Sequence, residues 1–224
     1  MSRVNFDVKV LNYCMKKYYI LFCLSILFCS FASAQVKVGA NVLPGLSVNR
    51  ISSENDTLSF SNDGLGYRIA LGILLDFETR KNYYFSSGLY WFPKRVGIRA
   101  IHEDSTSTQS FKLQYLHIPF NFKVLTDEFS IDKWFFFQFG LAFEMKIDES
   151  GKNMEAVYIE KFNFWDIVLD FGIGVEMKLG QNTSFIAGIT YYRGLLNAIN
   201  PQPVLENDLT LKNDYWALNL GIKF

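Results

Sequence analysis

Hydrophobic residues recur at every second position along most of this chain. Between positions 164 and 178, Trp165, Ile167, Leu169, Phe171, Ile173, Val175 and Met177 fall on one side. Phe164, Asp166, Val168, Asp170, Gly172, Gly174, Glu176 and Lys178 fall on the other. A strand points successive side chains to opposite faces, whereas a helix would put Asp166 and Asp170 beside Ile167. The pattern repeats. Phe135, Phe137, Phe139, Leu141, Phe143 and Met145 oppose Trp134, Gln138, Gly140, Ala142, Glu144 and Lys146. Tyr67, Ile69, Leu71, Ile73, Leu75 and Phe77 oppose Arg68, Ala70, Gly72, Asp76 and Glu78. Leu116, Ile118, Phe120 and Phe122 oppose Tyr115, His117, Asn121 and Lys123, and Trp216, Leu218, Leu220, Ile222 and Phe224 oppose Tyr215, Ala217, Asn219, Gly221 and Lys223. Weaker runs at 36–48, 82–98 and 183–193 bring the predicted strands to eight.

The connections alternate in length. Polar loops are predicted at 49–63, 99–109, 148–160 and 194–213, and shorter connections at 79–81, 126–132 and 179–181. Long loops at one end and tight turns at the other are the layout of an outer-membrane barrel, with the turns in the periplasm. Side-chain volume decides which face looks outward. An eight-stranded barrel is just wide enough to be filled by side chains. The apolar faces carry bulky Phe and Trp, while the polar faces carry Gly39, Gly72, Gly88, Gly140, Gly172, Gly174 and Gly221. Small residues suit a crowded lumen, so the reading is an all-β, eight-stranded antiparallel up-and-down transmembrane β-barrel. The alternative is a soluble barrel with its apolar face inside. Trp134, Trp165 and Trp216 lie near strand ends, where indoles settle at membrane interfaces, while Trp91 falls mid-strand.

Hydrophobic residues make up 50% of the chain, yet beyond the N-terminus no apolar run reaches the roughly 20 residues of a membrane helix. Lys16 and Lys17, the apolar run 18–31 and the small residues Ala32, Ser33 and Ala34 form a secretory leader. The domain reading is therefore a signal peptide over 1–34, with Met15 an alternative start, and a barrel over 35–224. A retained anchoring helix is the rival. Cys14, Cys23 and Cys29 all precede the cleavage site; Cys29 follows Phe28, where lipoprotein signals have a small residue. The mature chain thus has no thiol for a disulfide or a metal. Its formal charge is −3, 18 basic residues against 21 acidic, which argues against a nucleic-acid partner.

The candidate chemistry lies in the lumen. Arg68, His117, Glu144, Lys146, Asp166, Asp170 and Arg193 are placed toward the outer end, and Asp76, Lys123, Glu176, Lys178 and Lys223 toward the periplasmic end. Mixed signs point to ion pairs that fill the barrel, since unpaired buried charge is costly; a conduit or small ligand site is the alternative. Asp166 and Asp170 sit about 13 Å apart at strand rise, too far to share a proton. A hydrolase built from His117, Ser86 or Ser87 and Asp170 has no supporting motif. His102 beside Glu103 and Asp104 reads as a solvated loop. No catalytic, cofactor-binding or metal residue is assigned. Pro119 marks a ladder break. The loop residues Ser53, Glu54, Asn55, Asp56, Glu103, Asp104, Ser105, Glu149, Ser150 and Lys152 read as a polar rim, with partner binding the alternative.

The end of the chain, alternating from Trp216 to Phe224, resembles the signal by which the assembly machinery recognises outer-membrane barrels. Tyr115-Leu116-His117-Ile118-Pro119 resembles the Tyr-Leu-x-Ile-Pro strand of the PorT-type outer-membrane barrel family of Bacteroidota, as does Val38-Gly39-Ala40-Asn41 after Ala-Gln. That family commonly has an acid where this chain has His117. The resemblance implies outer-membrane lipid, the barrel-assembly machinery and a secretion or envelope complex as partners. The function read is a non-enzymatic barrel, structural or accessory to envelope or protein secretion. A small transport or ligand-binding barrel is the alternative, and a lipid-modifying membrane enzyme a remote one.

Overall fold

The computed structural model describes residues 35–52, 59–102, 105–152, 159, 161–199 and 209–224. The leader read over 1–34, the loop residues 53–56 and Glu103 and Asp104 lie outside them. The described strands are β1 (Gln35–Ser52), β2 (Ser59–Asn62), β3 (Gly66–Arg80), β4 (Tyr83–His102), β5 (Ser105–Leu125), β6 (Lys133–Lys152), β7 (Trp165–Lys178), β8 (Ser184–Gly194) and β9 (Thr210–Lys223). Apart from β2, each pairs with its chain neighbours, and β1 closes on β9 through pairs such as Gly39↔Lys223 and Leu46↔Trp216. The result is a closed eight-stranded antiparallel barrel, in which the ladder supplies partners for backbone groups that lipid cannot satisfy.

The turns at the periplasmic end carry their own chemistry. Asn82 (φ 70°) and Asp132 (φ 60°) hold left-handed conformations, which Asn and Asp tolerate better than most residues. Between β5 and β6 the Glu128 carboxylate accepts the Asp132 amide at 2.5 Å. After β7, the Leu179 amide donates to the Thr183 carbonyl at 2.8 Å.

The outer end departs from the sequence reading. Residues 99–102 and 105–109, read within a polar loop, are strand: β4 and β5 pair from Tyr83↔Val124 out to His102↔Ser105. β6 likewise follows β5 to Ser110↔Lys152. These three strands project well past the 9–11 residues that cross lipid. On β4 the outward apolar residues of the wall end at Trp91, and Arg95 and Arg99 follow on the same face. Trp91 is therefore an interface residue of a long strand, not a mid-membrane one. Its indole N–H donates to Gln114 at 2.9 Å, and the Gln114 amide donates in turn to Asp148 at 2.8 Å.

Prolines set the irregularities of the wall, because each removes a ladder donor. The β4–β5 register skips from Ser87↔Phe120 to Tyr90↔His117, around Pro119. The β1–β9 register skips from Val42↔Leu220 to Gly45↔Ala217, around Pro44. At Pro93 the consequence is larger. The β3–β4 ladder ends at Leu71↔Trp91, and continuing it would set Pro93 opposite Ile69. Beyond that point the ladder is interrupted, although Gly66 of β3 still lies against Arg95, and Ser47 Oγ of β1 donates to the Arg95 carbonyl (2.9 Å) and accepts the Arg95 amide (3.2 Å). β4 then takes β2 as its partner, from Asn62↔Ile98 to Ser59↔Ile101.

Candidate functional site in the lumen

The lumen is packed in layers. At the outer mouth Val96 and Ile98 of β4 and Phe111 and Leu113 of β5 meet Ile159, Phe162, Ala198, Ile199, Leu209 and Leu211 in one buried apolar cluster. Below it lies the first charged layer. Lys94 Nζ donates to Glu144 Oε2 at 2.7 Å, and His117 Nδ1 lies 2.9 Å from Glu144 Oε1. His117 Nε2 stands 3.7 Å from Asp170, which also accepts the Asn121 amide at 3.2 Å. The Lys94, Glu144 and Asp170 side chains have no exposed surface. Aromatic rings enclose this layer: His117 stacks on Phe92 at 4.8 Å, with Tyr192 edge-on at 5.4 Å. Lys94 lies 5.4 Å from the ring centres of both Phe92 and Tyr115.

The second charged layer faces the periplasm. Lys123 bridges Asp76 (3.1 Å) and Glu176 (3.0 Å), and Lys223 bridges the same two carboxylates at 3.0 and 2.6 Å. Ser86 Oγ donates to Asp76 at 2.5 Å. Phe136 closes the floor beneath Lys123, 4.9 Å from ring centre to Nζ, together with Leu74, Tyr84, Leu125 and Ile186. Glycines give these rings room. A Cβ on Gly72 would sit 2.2 Å from the Tyr90 ring, and one on Gly174 would sit 2.6 Å from the Phe136 ring. Between the layers the free volume is about 20 Å³, bordered by Asn41, Asn121 and Asn219 among others, room for about one water molecule.

The pairing of opposite charges inside the barrel matches the sequence reading, but its membership changes. Asp76, His117, Lys123, Glu144, Asp166, Asp170, Glu176 and Lys223 are buried inside. Arg193 is not, because β8 buries its even-numbered residues Ile186, Thr190 and Tyr192 and leaves Arg193 exposed. Lys178 is exposed at the end of β7. Lys146 is half-buried at the outer rim, bonded to Glu149 and to the Phe162 carbonyl (2.7 Å). Arg68 is also half-buried at that rim, its guanidinium donating to the Tyr67 carbonyl at 2.8 Å. Lys94, central to the outer layer, was missed. The premise that bulky Phe faces outward needs correction at Phe92 and Phe136, which are buried inside with Tyr90 and Tyr192, whereas Tyr115 and Tyr215 lie inside as their parity places them.

The hydrolase reading gains nothing from this geometry. The Ser86 hydroxyl donates to Asp76, while His117 lies between Glu144 and Asp170. Asp166 and Asp170 act separately, Asp166 accepting the Ile167 and Leu196 amides at 2.8 and 3.3 Å. Among the described residues no group of three or more His, Cys, Asp or Glu is placed to hold a metal ion.

A family model described as "Outer membrane protein beta-barrel domain" matches residues 31–200. Comparison with curated protein sequences gave no match. Among solved structures the chain is similar to Neisserial surface protein A, with 14% identity, a TM-score of 0.50, and coverage of 85% of this chain and 97% of that one. It is also similar to the outer membrane protein OprG of Pseudomonas aeruginosa, with 11% identity, a TM-score of 0.53, and coverage of 83% and 95%. At these identities the likeness concerns the fold. The Phe-rich outer wall, including Phe137, Phe139, Leu141, Phe171, Ile173 and Leu218, is the surface that meets lipid.

Proposed function

The chain belongs to the outer membrane protein beta-barrel domain family, and from that premise we propose that it is a closed, non-enzymatic barrel of the Gram-negative outer membrane, structural or accessory to envelope or protein secretion. It works through the surfaces it presents, above all the β4–β5–β6 wall that rises past the lipid. The supporting observation is the packing of the lumen among the described residues: an apolar plug and two interlocked charged layers, with a cavity of about 20 Å³ between the layers. A selective pore would instead line its path with open rings of one charge. The likeness of Tyr115–Pro119 to the PorT-type strand favours a secretion or envelope complex as partner. The leader over 1–34 supplies export, and the strand ending in Phe224 engages the assembly machinery.

Planar bilayers test closure. The purified full chain is expected to give no steady unitary conductance; stable single-channel steps would favour the transport reading. Mild detergent extraction tests the accessory role, with a stoichiometric envelope or secretion protein expected to copurify. Recovery of the barrel alone, with unaltered secretion in a deletion strain, would count against it.

A further inference from the structure

The break in the β3–β4 ladder at Pro93 leaves a groove in the outer wall of about 440 Å³, with Pro93 at its base and walls of Tyr67, Ile69 and Trp91. Its volume is that of an ordinary ligand site. Three observations describe what would fit. The walls are apolar and open: Tyr67 is 61% exposed, Ile69 40% and Trp91 43%. Two cations, Arg68 and Lys112, border it, and among the described residues neither forms an ion pair. Trp91 is the last outward apolar residue of the lipid-facing run on β4, and Arg95 and Arg99 follow it on that face. The Trp91 indole is held by Gln114, which also binds the carboxylate of Asp148.

An apolar trough that opens sideways to lipid, topped by two cations at headgroup height, has the chemistry to recognise an anionic amphiphile. We infer that the groove between β3 and β4 binds a phosphorylated, acylated lipid of the outer leaflet, with acyl carbon against Ile69, Trp91 and Pro93 and phosphate between Arg68 and Lys112. Water-soluble anions lack the acyl half, and an apolar peptide lacks a group for the cations. The inference does not depend on whether the lumen conducts, because the groove opens on the outer face of the wall.

Native mass spectrometry of the full chain in nonionic detergent, titrated with phosphorylated lipid A, tests this. Each cation near an anionic lipid contributes roughly fivefold in affinity, so Arg68→Gln with Lys112→Gln should weaken binding roughly thirtyfold. Lys81→Gln, in the periplasmic turn, should leave it unchanged. Dephosphorylated lipid A should bind the parent as weakly as phosphorylated lipid binds the double variant, and millimolar inorganic phosphate should not displace the lipid. Equal binding by parent and double variant, indifference to dephosphorylation, or displacement by phosphate alone would each overturn the assignment. Should the double variant lose the heat-modifiable mobility of a folded barrel, Lys112→Gln alone, exposed and beyond the lipid belt, is read instead. Its expected loss is roughly fivefold, and an unchanged affinity sinks the proposal.

Discussion

Glu144→Gln removes the single negative charge to which both Lys94 (2.7 Å) and His117 (2.9 Å) are bonded. The amide is nearly isosteric, so packing changes little and the effect isolates charge. Lys94 has no exposed surface and cannot recover hydration where it lies. Breaking one side of a buried pair costs about 3–5 kcal/mol, whereas replacing both partners by apolar side chains is often neutral or better. Glu144→Gln should therefore lower the unfolding free energy by about 3–5 kcal/mol, two to three and a half decades in the equilibrium constant. Lys94→Met combined with Glu144→Leu should lose far less than Glu144→Gln, since His117 keeps Asp170 at 3.7 Å. The measurement is reversible urea unfolding of the barrel in lipid vesicles, followed by tryptophan fluorescence. The reasoning fails if Glu144→Gln changes stability by under about 1 kcal/mol, or if the apolar pair is as damaging as the single change. Either result would mean that water reaches Lys94.

Other changes probe different parts of the structure. Asp170→Leu removes the acceptor of the Asn121 amide and the second anion beside His117; it should lower the temperature at which the barrel loses its folded mobility in detergent, and unchanged heat resistance would contradict a buried network. Phe139→Arg sets a charge on the exposed outer wall, where Phe139 pairs with Phe122 and Phe171; in vesicles it should cost about 2–4 kcal/mol. Ile131→Arg, in the exposed periplasmic turn, should stay within about 0.5 kcal/mol, and equal tolerance at both positions would mean that water bathes the wall. Gly174→Val would drive a Cβ to 2.3 Å from the Ala187 carbonyl and 2.6 Å from the Phe136 ring. It should cost at least about 1–3 kcal/mol by urea unfolding, and a neutral result would show that Phe136 does not rest there.

The two charged layers were only partly legible in the sequence. β6, β7 and the membrane part of β5 show an apolar outer face against a face bearing Lys, His, Asp and Glu, so Lys123, His117, Glu144, Asp170 and Glu176 could be placed inside from parity alone. Which residues pair could not be read, because partners such as Lys123 and Asp76 lie on strands that are not neighbours in the wall. Parity also fails at strand ends. Lys178 keeps the inward phase of β7 but has passed the last buried residue, Glu176. Arg193 was placed by its charge, although Tyr192 beside it is the residue turned inward.

The missed Lys94 and the misread outer strand residues share one cause, which is that the solvent changes along a single strand. Within the membrane, β4 turns Phe85, Leu89 and Trp91 outward to lipid and Ser86 and Gly88 inward. Past Pro93 the same strand turns Arg95 and Arg99 outward and buries Val96, Ile98 and Ala100. β5 inverts in the same way, with Phe111 and Leu113 buried above Trp91 and Phe120 and Phe122 exposed below it. The geometric period stays two throughout, but the apolar residues move from odd to even positions on β4 and from odd to even on β5. A period-two search that demands one apolar parity per strand stops at the inversion and reads the remainder as loop. The inversion is itself a signal, since a strand that exchanges its apolar parity without a turn has moved from lipid into water, where the apolar face must point inward. Lys94 sits at that crossover, the first inward position after Pro93, where the polar lumen gives way to the apolar plug. The same crossover ends the outward apolar run of β4 and breaks the β3–β4 ladder beside the groove that Arg68 and Lys112 border.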